Sequence, residues 1–133
     1  MSAVPVWITA DEVIAMNDVI VRSTEETHFL RDNGALLGAL NRPINHFHYN
    51  QMDRVDELAA HLVLAIGKAH AFEQGNKRTA WAAGRLFIHN NGYALELDEG
   101  TQRIVAVVVE EMMSNEAHIK HLVYFLGENI TVR

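Results

Sequence analysis

The chain has no cysteine, which excludes both a disulfide framework and a thiolate metal site. It is also short of positive charge, with 11 Lys and Arg against 17 Asp and Glu and a net charge of -6. Nucleic-acid phosphates are held by clustered cations. Here the cations are scattered except for Lys77-Arg78, so neither DNA nor RNA is expected as a partner. No uncharged apolar run reaches the roughly 18 residues of a membrane span; Leu58 to Ile66 is nine. The first residues, MSAVPVWITADE, lack the basic segment and apolar core of a signal peptide. A soluble cytoplasmic protein with no membrane partner is expected. Repeats, low-complexity tracts and Pro/Gly/Ser linkers are missing too, so residues 1–133 are read as one domain. At 49% hydrophobic, that length suffices for a substantial core.

What is present has mostly a helical period. Thr9 and Glu12 have capping-box spacing, and Val13, Ile14, Met16, Val19 and Ile20 predict an amphipathic helix to about Arg22. Residues 23–33 are polar and read as a loop. Ala35 to Leu40 predicts a short helix ended by Pro43, because the residue before proline disfavours helix. Asn45 to Asn50, NHFHYN, alternates aromatic and polar residues and suits an extended segment or a small hairpin. Asp53 to Ala69 carries Val55, Leu58, Leu62, Ile66 and Ala69 on one face and further apolar residues around it. A helix apolar nearly all round belongs at the centre of a bundle. A further helix is predicted from Gly75 or Asn76 to Asn90, stopped by Asn90-Asn91-Gly92. Tyr93 to Leu97 reads as a connecting extended piece. Thr101 to Met113 and Asn115 to Gly127 read as two more helices. The sum is an all-α bundle of about six helices.

Between the two central helices lies a polar island, His70 to Trp81, HAFEQGNKRTAW. The first amides of the helix it opens have no internal partner, and the helix dipole is positive there. Gly75 allows close approach of a ligand to the backbone, and Asn76 adds a side-chain amide. Lys77 and Arg78 are unfavourable for a helix start by themselves but suit a bound polyanion. His70, five residues before Gly75, is a candidate general base, since neutral imidazole accepts protons near pH 7. Phe72, apolar within a polar turn, is expected to anchor it in the core. Taken alone, Gly-Asn-Lys-Arg also fits a helix cap with solvated charges.

The pattern H-x-F-x-x-G-N-K-R-T resembles the signature of the Fic/Doc family, in its death-on-curing (Doc) branch. LRDNGALLGALNRPINHFHY resembles the segment leading into that family's target-docking flap, and VDELAAHLVLAIGKAH and AWAAGRLFIHNNGYALEL resemble the helices flanking its motif. Roughly residues 25 to 100 are covered. The resemblance implies a Fic-type helical bundle with a small extended flap before the central helix. It implies transfer of part of a nucleotide to a hydroxyl of a target protein. His70 then matches the base, Phe72 the core anchor, Gly75 and Asn76 the anion hole, and Arg78 the phosphate-binding arginine. Lys77, in place of the glycine of adenylylating members, implies transfer of the terminal phosphate of ATP, as in Doc-like members. By the same resemblance the target could be a translation elongation factor, and a separate antitoxin protein would restrain the activity. No S/T-x-x-x-E inhibitory motif is present.

Two positions depart from the pattern. The acidic ligand for Mg²⁺ falls at Gln74, whose amide oxygen lacks the charge of a carboxylate. The second motif arginine falls at Trp81, a loss shared with Doc-like members. Three readings follow: a Doc-like phosphotransferase toxin, a protein adenylyltransferase, and a degenerate Fic fold that binds nucleotide or a partner without turnover. Elsewhere, His46-x-His48 has no third ligand at metal-site spacing. His61 is expected to be a satisfied core histidine.

Overall fold

The computed structural model describes residues 4–133. Six α-helices, one 3₁₀ turn and a two-stranded ribbon follow in chain order: α1 Ala10–Ser23, α2 Asn33–Tyr49, α3 Val55–Ala69, α4 Asn76–Asn90, β1 Tyr93–Leu95, α5 Glu99–Ser114, the 3₁₀ turn Glu116–His118, α6 Ile119–Asn129 and β2 Ile130–Val132. This is the all-α bundle that the apolar periods predict. No described helix is long and apolar enough to cross a membrane.

Helix α3 is the axis. Leu58, Leu62, Val63 and Ile66 are buried along it, as its near-continuous apolar surface requires. It packs against α2, α4, α5 and α6. Small residues set how close the neighbours come. A Cβ added at Gly84 of α4 would lie 2.5 Å from Val63 Cγ2, so α4 rests directly on α3 at this point. Helix α1 packs on α4 from the other side. Its start is the expected capping box: Thr9 accepts from the Glu12 amide at 3.2 Å, and Glu12 Oε1 accepts from the Thr9 amide at 2.9 Å.

The main departure lies in α2. The expected break at Pro43 does not occur, and Asn45 to Asn50 is neither extended nor a hairpin: the helix runs through to Tyr49. Pro43 withholds one amide from the carbonyl of Ala39, the partner four residues back. The apolar face nevertheless continues across it, because Leu36, Ala39, Leu40 and Pro43 are buried and Phe47 packs on the core. Trp7 lies edge-on to Phe47 and stacked on Phe87, both at 5.8 Å, so the far half of α2 is tied to α4. Burial of this face outweighs one lost hydrogen bond. The flap expected before the central helix is therefore absent there. The extended segment adjoining the His70–Trp81 turn lies before α2 instead, where Leu30 forms an antiparallel bridge with Phe72.

Smaller shifts have local causes. Helix α2 begins early because Asp32 caps it, accepting from the Ala35 amide at 2.9 Å. Helix α5 begins at Glu99 because Asp98 caps it, accepting from the Thr101 amide at 2.7 Å. Helix α6 starts after a 3₁₀ turn and runs past Gly127 to Asn129. Tyr93–Leu95 is extended, as read, and pairs antiparallel with Ile130–Val132, a strand that the sequence reading did not foresee.

Candidate active site

The polar island is a turn with two unusual backbone positions. His70 ends α3 in the left-handed conformation, φ 49° and ψ 41°. For a residue with a side chain this conformation costs roughly 1–2 kcal/mol relative to right-handed backbone. Gly75 starts α4, also left-handed, with φ 74°. A Cβ there would also lie 2.9 Å from Val21 Cγ1, so both backbone and space require glycine.

Between these points the turn is closed by its own side chains. Phe72 is fully buried, as expected of an anchor. Asn76 folds back onto it: its Oδ1 accepts from the Phe72 amide at 3.1 Å, and its Nδ2 donates to the Phe72 carbonyl at 2.7 Å. The Asn76 side chain thus shapes the loop, while its backbone amide faces the helix start. The preceding extended segment holds the outer edge. The amides of Arg31 and Asp32 donate to the Ala71 carbonyl at 2.7 and 3.0 Å, and the Glu73 amide donates to the Phe29 carbonyl at 3.0 Å. Arg31 Nη2 donates to the His70 carbonyl at 3.1 Å, which steadies the strained residue. The His70 side chain is left exposed.

Helix α4 opens without a side-chain cap among the described residues. Its first intrahelical bond is from the Thr79 amide to the Gly75 carbonyl, 2.9 Å. The amides of Asn76, Lys77 and Arg78 precede it and have no intrahelical acceptor. The two motif cations stand at the same place, each held by a carboxylate from another element. Lys77 Nζ lies 2.5 Å from Glu110 Oε1 of α5. Arg78 Nη2 lies 2.6 Å from Glu26 Oε1, and its Nη1 donates to Thr24 Oγ1 at 3.0 Å. The Thr24 hydroxyl and the Arg78 guanidinium together hold the Glu26 carboxyl below its usual range. Both pairs are partly solvated, and such pairs contribute little to stability. An incoming phosphate can take their place.

Beside these cations is a cavity of about 280 Å³, walled by Trp81 of α4 and by Gln102, Val105, Ala106 and Val109 of α5. Lys77, Arg78 and Glu110 complete its lining, so apolar side chains and charges of both signs meet there. A larger cavity, about 430 Å³, lies between α2 and α3 with Arg42 and Lys68 on its wall, but no motif residue lines it. Trp81, which stands where a second arginine is expected, is half-buried under the Arg85 guanidinium, 5.7 Å from its ring centre.

Gln74 is exposed on the turn. The carboxylates beside the motif cations, Glu26 and Glu110, are engaged by those cations, and no cluster of three His, Asp or Glu side chains is present among the described residues. A neutral amide with these carboxylates occupied does not match the oxygen-rich, charged donor set that Mg²⁺ favours. His46 and His48 do not form a pair either. Two apart on a helix, they point differently, and His46 faces His61 instead, with ring centres 4.3 Å apart. His61 is half-buried rather than enclosed; burial, with His46 and Arg42 adding, pushes its pKa down to about 4.

Not every component of the site was visible in the sequence reading. Asn17 of α1 is fully buried and meets the turn from below: its Nδ2 donates to the Gln74 carbonyl at 2.9 Å and to Thr79 Oγ1 at 3.0 Å. The available signal was a polar residue on the apolar face of an amphipathic helix, spaced four from Val13 and four from Val21.

Comparison with known proteins is consistent with this geometry. A model of the Fic/DOC family matches residues 7–88, which include α1, the extended segment, the turn and most of α4. A protein named Toxin Doc from Mycolicibacterium smegmatis is 36% identical over 89 residues, covering 66% of this chain and 65% of its own length. A protein named Protein kinase doc from Escherichia phage P1 is 27% identical over 85 residues, covering 64% of this chain and 68% of its own. The chain thus matches about two thirds of the length of these relatives. No solved structure matches significantly.

Proposed function

The chain belongs to the Fic/DOC family, and from that premise we propose that it is a Doc-like toxin that transfers the terminal phosphate of ATP to a hydroxyl side chain of a target protein. The observation that carries this reading is the uncapped start of α4. There the Asn76–Arg78 amides, Lys77 and Arg78 converge beside a 280 Å³ cavity, directly after a strained, exposed histidine. Oriented amides and two cations at a helix N-terminus form a phosphate site. Phosphoryl transfer asks for little else than positioning and charge neutralisation.

In this mechanism the triphosphate lies across the Gly75–Arg78 corner and displaces Glu26 and Glu110 from the cations. His70, in its neutral form, takes the proton of the target hydroxyl as that oxygen attacks the γ-phosphorus. The new O–P bond forms, the bond from the γ-phosphorus to the bridging oxygen breaks, and ADP leaves. Lys77, a compact charge, neutralises the moving phosphoryl group, and Arg78 holds the remaining phosphates with two donors. Gly75 keeps the backbone within reach, and Asn76 keeps the turn closed. Gln74 stands at the metal position without a carboxylate, so no step is assigned to Mg²⁺. The names of the two relatives, a toxin and a kinase, support the same reading. A cytoplasmic location and a separate antitoxin protein that restrains the activity belong to the proposal.

A second reading, adenylylation, is disfavoured by Lys77 and by Trp81 in the place of a phosphate-binding arginine. Binding without turnover is favoured by Gln74 alone. Cell lysate incubated with the pure protein and ATP labelled at either the γ- or the α-phosphate separates the three. Label from γ alone is expected. Label from α would replace the proposal with adenylylation, and nucleotide bound with no label from either position would leave a binding fold.

A further inference from the structure

The buried side chain beneath the turn is chemically specific. Asn17 has no exposed surface, and all of its amide is in use. Its Nδ2 donates twice, to the Gln74 carbonyl at 2.9 Å and to Thr79 Oγ1 at 3.0 Å. Because that nitrogen faces a carbonyl, which can only accept, the amide orientation is fixed. Oδ1 is then the atom that meets His28 Nδ1 at 2.7 Å, and His28 must donate from Nδ1. One side chain on α1 therefore joins three parts of the site: the turn at Gln74, the first turn of α4 at Thr79, and the extended segment at His28. His28 in turn lies 6.0 Å, ring to ring, from Phe72, and two residues on Leu30 bridges to Phe72.

A buried amide is an expensive way to fill a core position unless its donors and acceptor are used, as those of Asn17 are. What asparagine adds is a fixed distance between α1 and the segment that carries Gly75, Lys77 and Arg78. Gly75 itself sits against the same helix: a Cβ there would lie 3.4 Å from Asn17 Nδ2. We infer that Asn17 is a positioning residue for the transfer site, setting the height of the Gln74–Arg78 corner relative to His70. This inference rests on the phosphotransfer reading for its rate consequence, but not for its geometry.

Asn17→Asp is the informative substitution. It keeps shape and volume, still accepts from His28, and can accept from the Thr79 hydroxyl. Ionised, it cannot make the donation to the Gln74 carbonyl. The ATP dependence of γ-phosphate transfer to lysate protein is measured alongside thermal unfolding. Hydrogen exchange is followed at the Phe72, Glu73 and Thr79 amides, all hydrogen-bonded across or beside the turn. Expected is a fall in kcat of about tenfold or more, the effect of misplacing reacting groups by a fraction of an ångström to an ångström. KM for ATP should change far less, with faster exchange at those amides and the α3 amides still protected. Unchanged kcat per folded molecule, or unchanged exchange at the turn, overturns the inference. If Asn17→Asp does not fold, Thr79→Val, which removes the other acceptor at constant shape, is judged by the same outcomes. If the wild-type protein transfers no γ-phosphate, the function reading fails on that result, and exchange at the turn alone decides the role of Asn17.

Discussion

At the scale of single residues, the site is built from side chains held away from their resting preferences. Arg78 and Lys77 are pulled toward Glu26 and Glu110, so the proposed phosphate site is partly neutralised before nucleotide arrives. Removing one competing carboxylate should strengthen nucleotide binding. Glu26→Gln is expected to lower the Kd for ATP by a factor on the order of three, the scale of an exposed ion pair, with the effect fading at high salt; calorimetric titration at two ionic strengths checks it. A weaker or unchanged affinity would mean that Glu26 orients Arg78 rather than competing for it. Position 74 invites the opposite change. Gln74→Asp supplies the carboxylate that a divalent cation prefers. The variant is expected to bind Mg²⁺ with nucleotide on the order of tenfold more tightly than wild type. The Mg²⁺ dependence of transfer, titrated in both proteins, is the measurement.

At the scale of elements, packing between α3 and α4 fixes where the turn can lie. Gly84 has Val63 2.5 Å from where a Cβ would be, and both positions are buried in the interior of well-packed helices. Gly84→Val is expected to destabilise the fold by about 2–3 kcal/mol through overpacking. Gly67→Ala should be far milder, because the atoms it meets are the flexible end of Met113. Chemical denaturation midpoints of the two variants test the contrast. The same elements show what was legible in the sequence. The helices α1, α3, α4 and α5 declared themselves by apolar period and caps, and the turn by its cluster of polar residues and Gly75. Pro43 was misread because a local rule about proline competes with a longer-range one. The face formed by Leu36, Ala39, Leu40, Pro43 and Phe47 keeps its helical spacing straight through the proline, and tertiary burial decides. The strand Ile130–Val132 was missed because its partner, Tyr93–Leu95, is more than thirty residues away. Asn17, His28 and the carboxylates Glu26 and Glu110 were missed for the same reason: their meaning lies in contacts across the fold, which no local spacing encodes.

At the scale of the whole molecule, stability and charge set the conditions in which the site can work. His61 has a pKa near 4 in the folded chain against 6.5 when unperturbed, and His46 on α2 and Arg42 add to the effect of burial while Glu116 opposes it. The unfolded chain therefore binds the extra proton first. This contribution to stability is intact above about pH 6.5 and is lost as pH falls from there toward 4. His61→Leu should flatten that part of the stability curve, as read by thermal unfolding between the two pH values; an unchanged slope would place the loss elsewhere. The chain as a whole is acidic, at -6, while the site holds paired cations. Binding of a polyanionic nucleotide thus depends on the local arrangement at α4 and not on the general field.

The central claim is that the His70 imidazole does the chemistry and that its strained backbone exists to present it. Glycine at this position tests both parts, because φ 49° is easier for glycine than for histidine. A loss of activity in His70→Gly cannot then be assigned to a damaged fold. The measurement is the initial rate of γ-phosphate transfer from labelled ATP to lysate protein by wild type and His70→Gly, each with its thermal midpoint. The expected result is a midpoint equal to or above wild type, with transfer reduced about 10²–10⁴-fold, the share of a general base. Transfer that survives undiminished in a folded His70→Gly protein would contradict the mechanism.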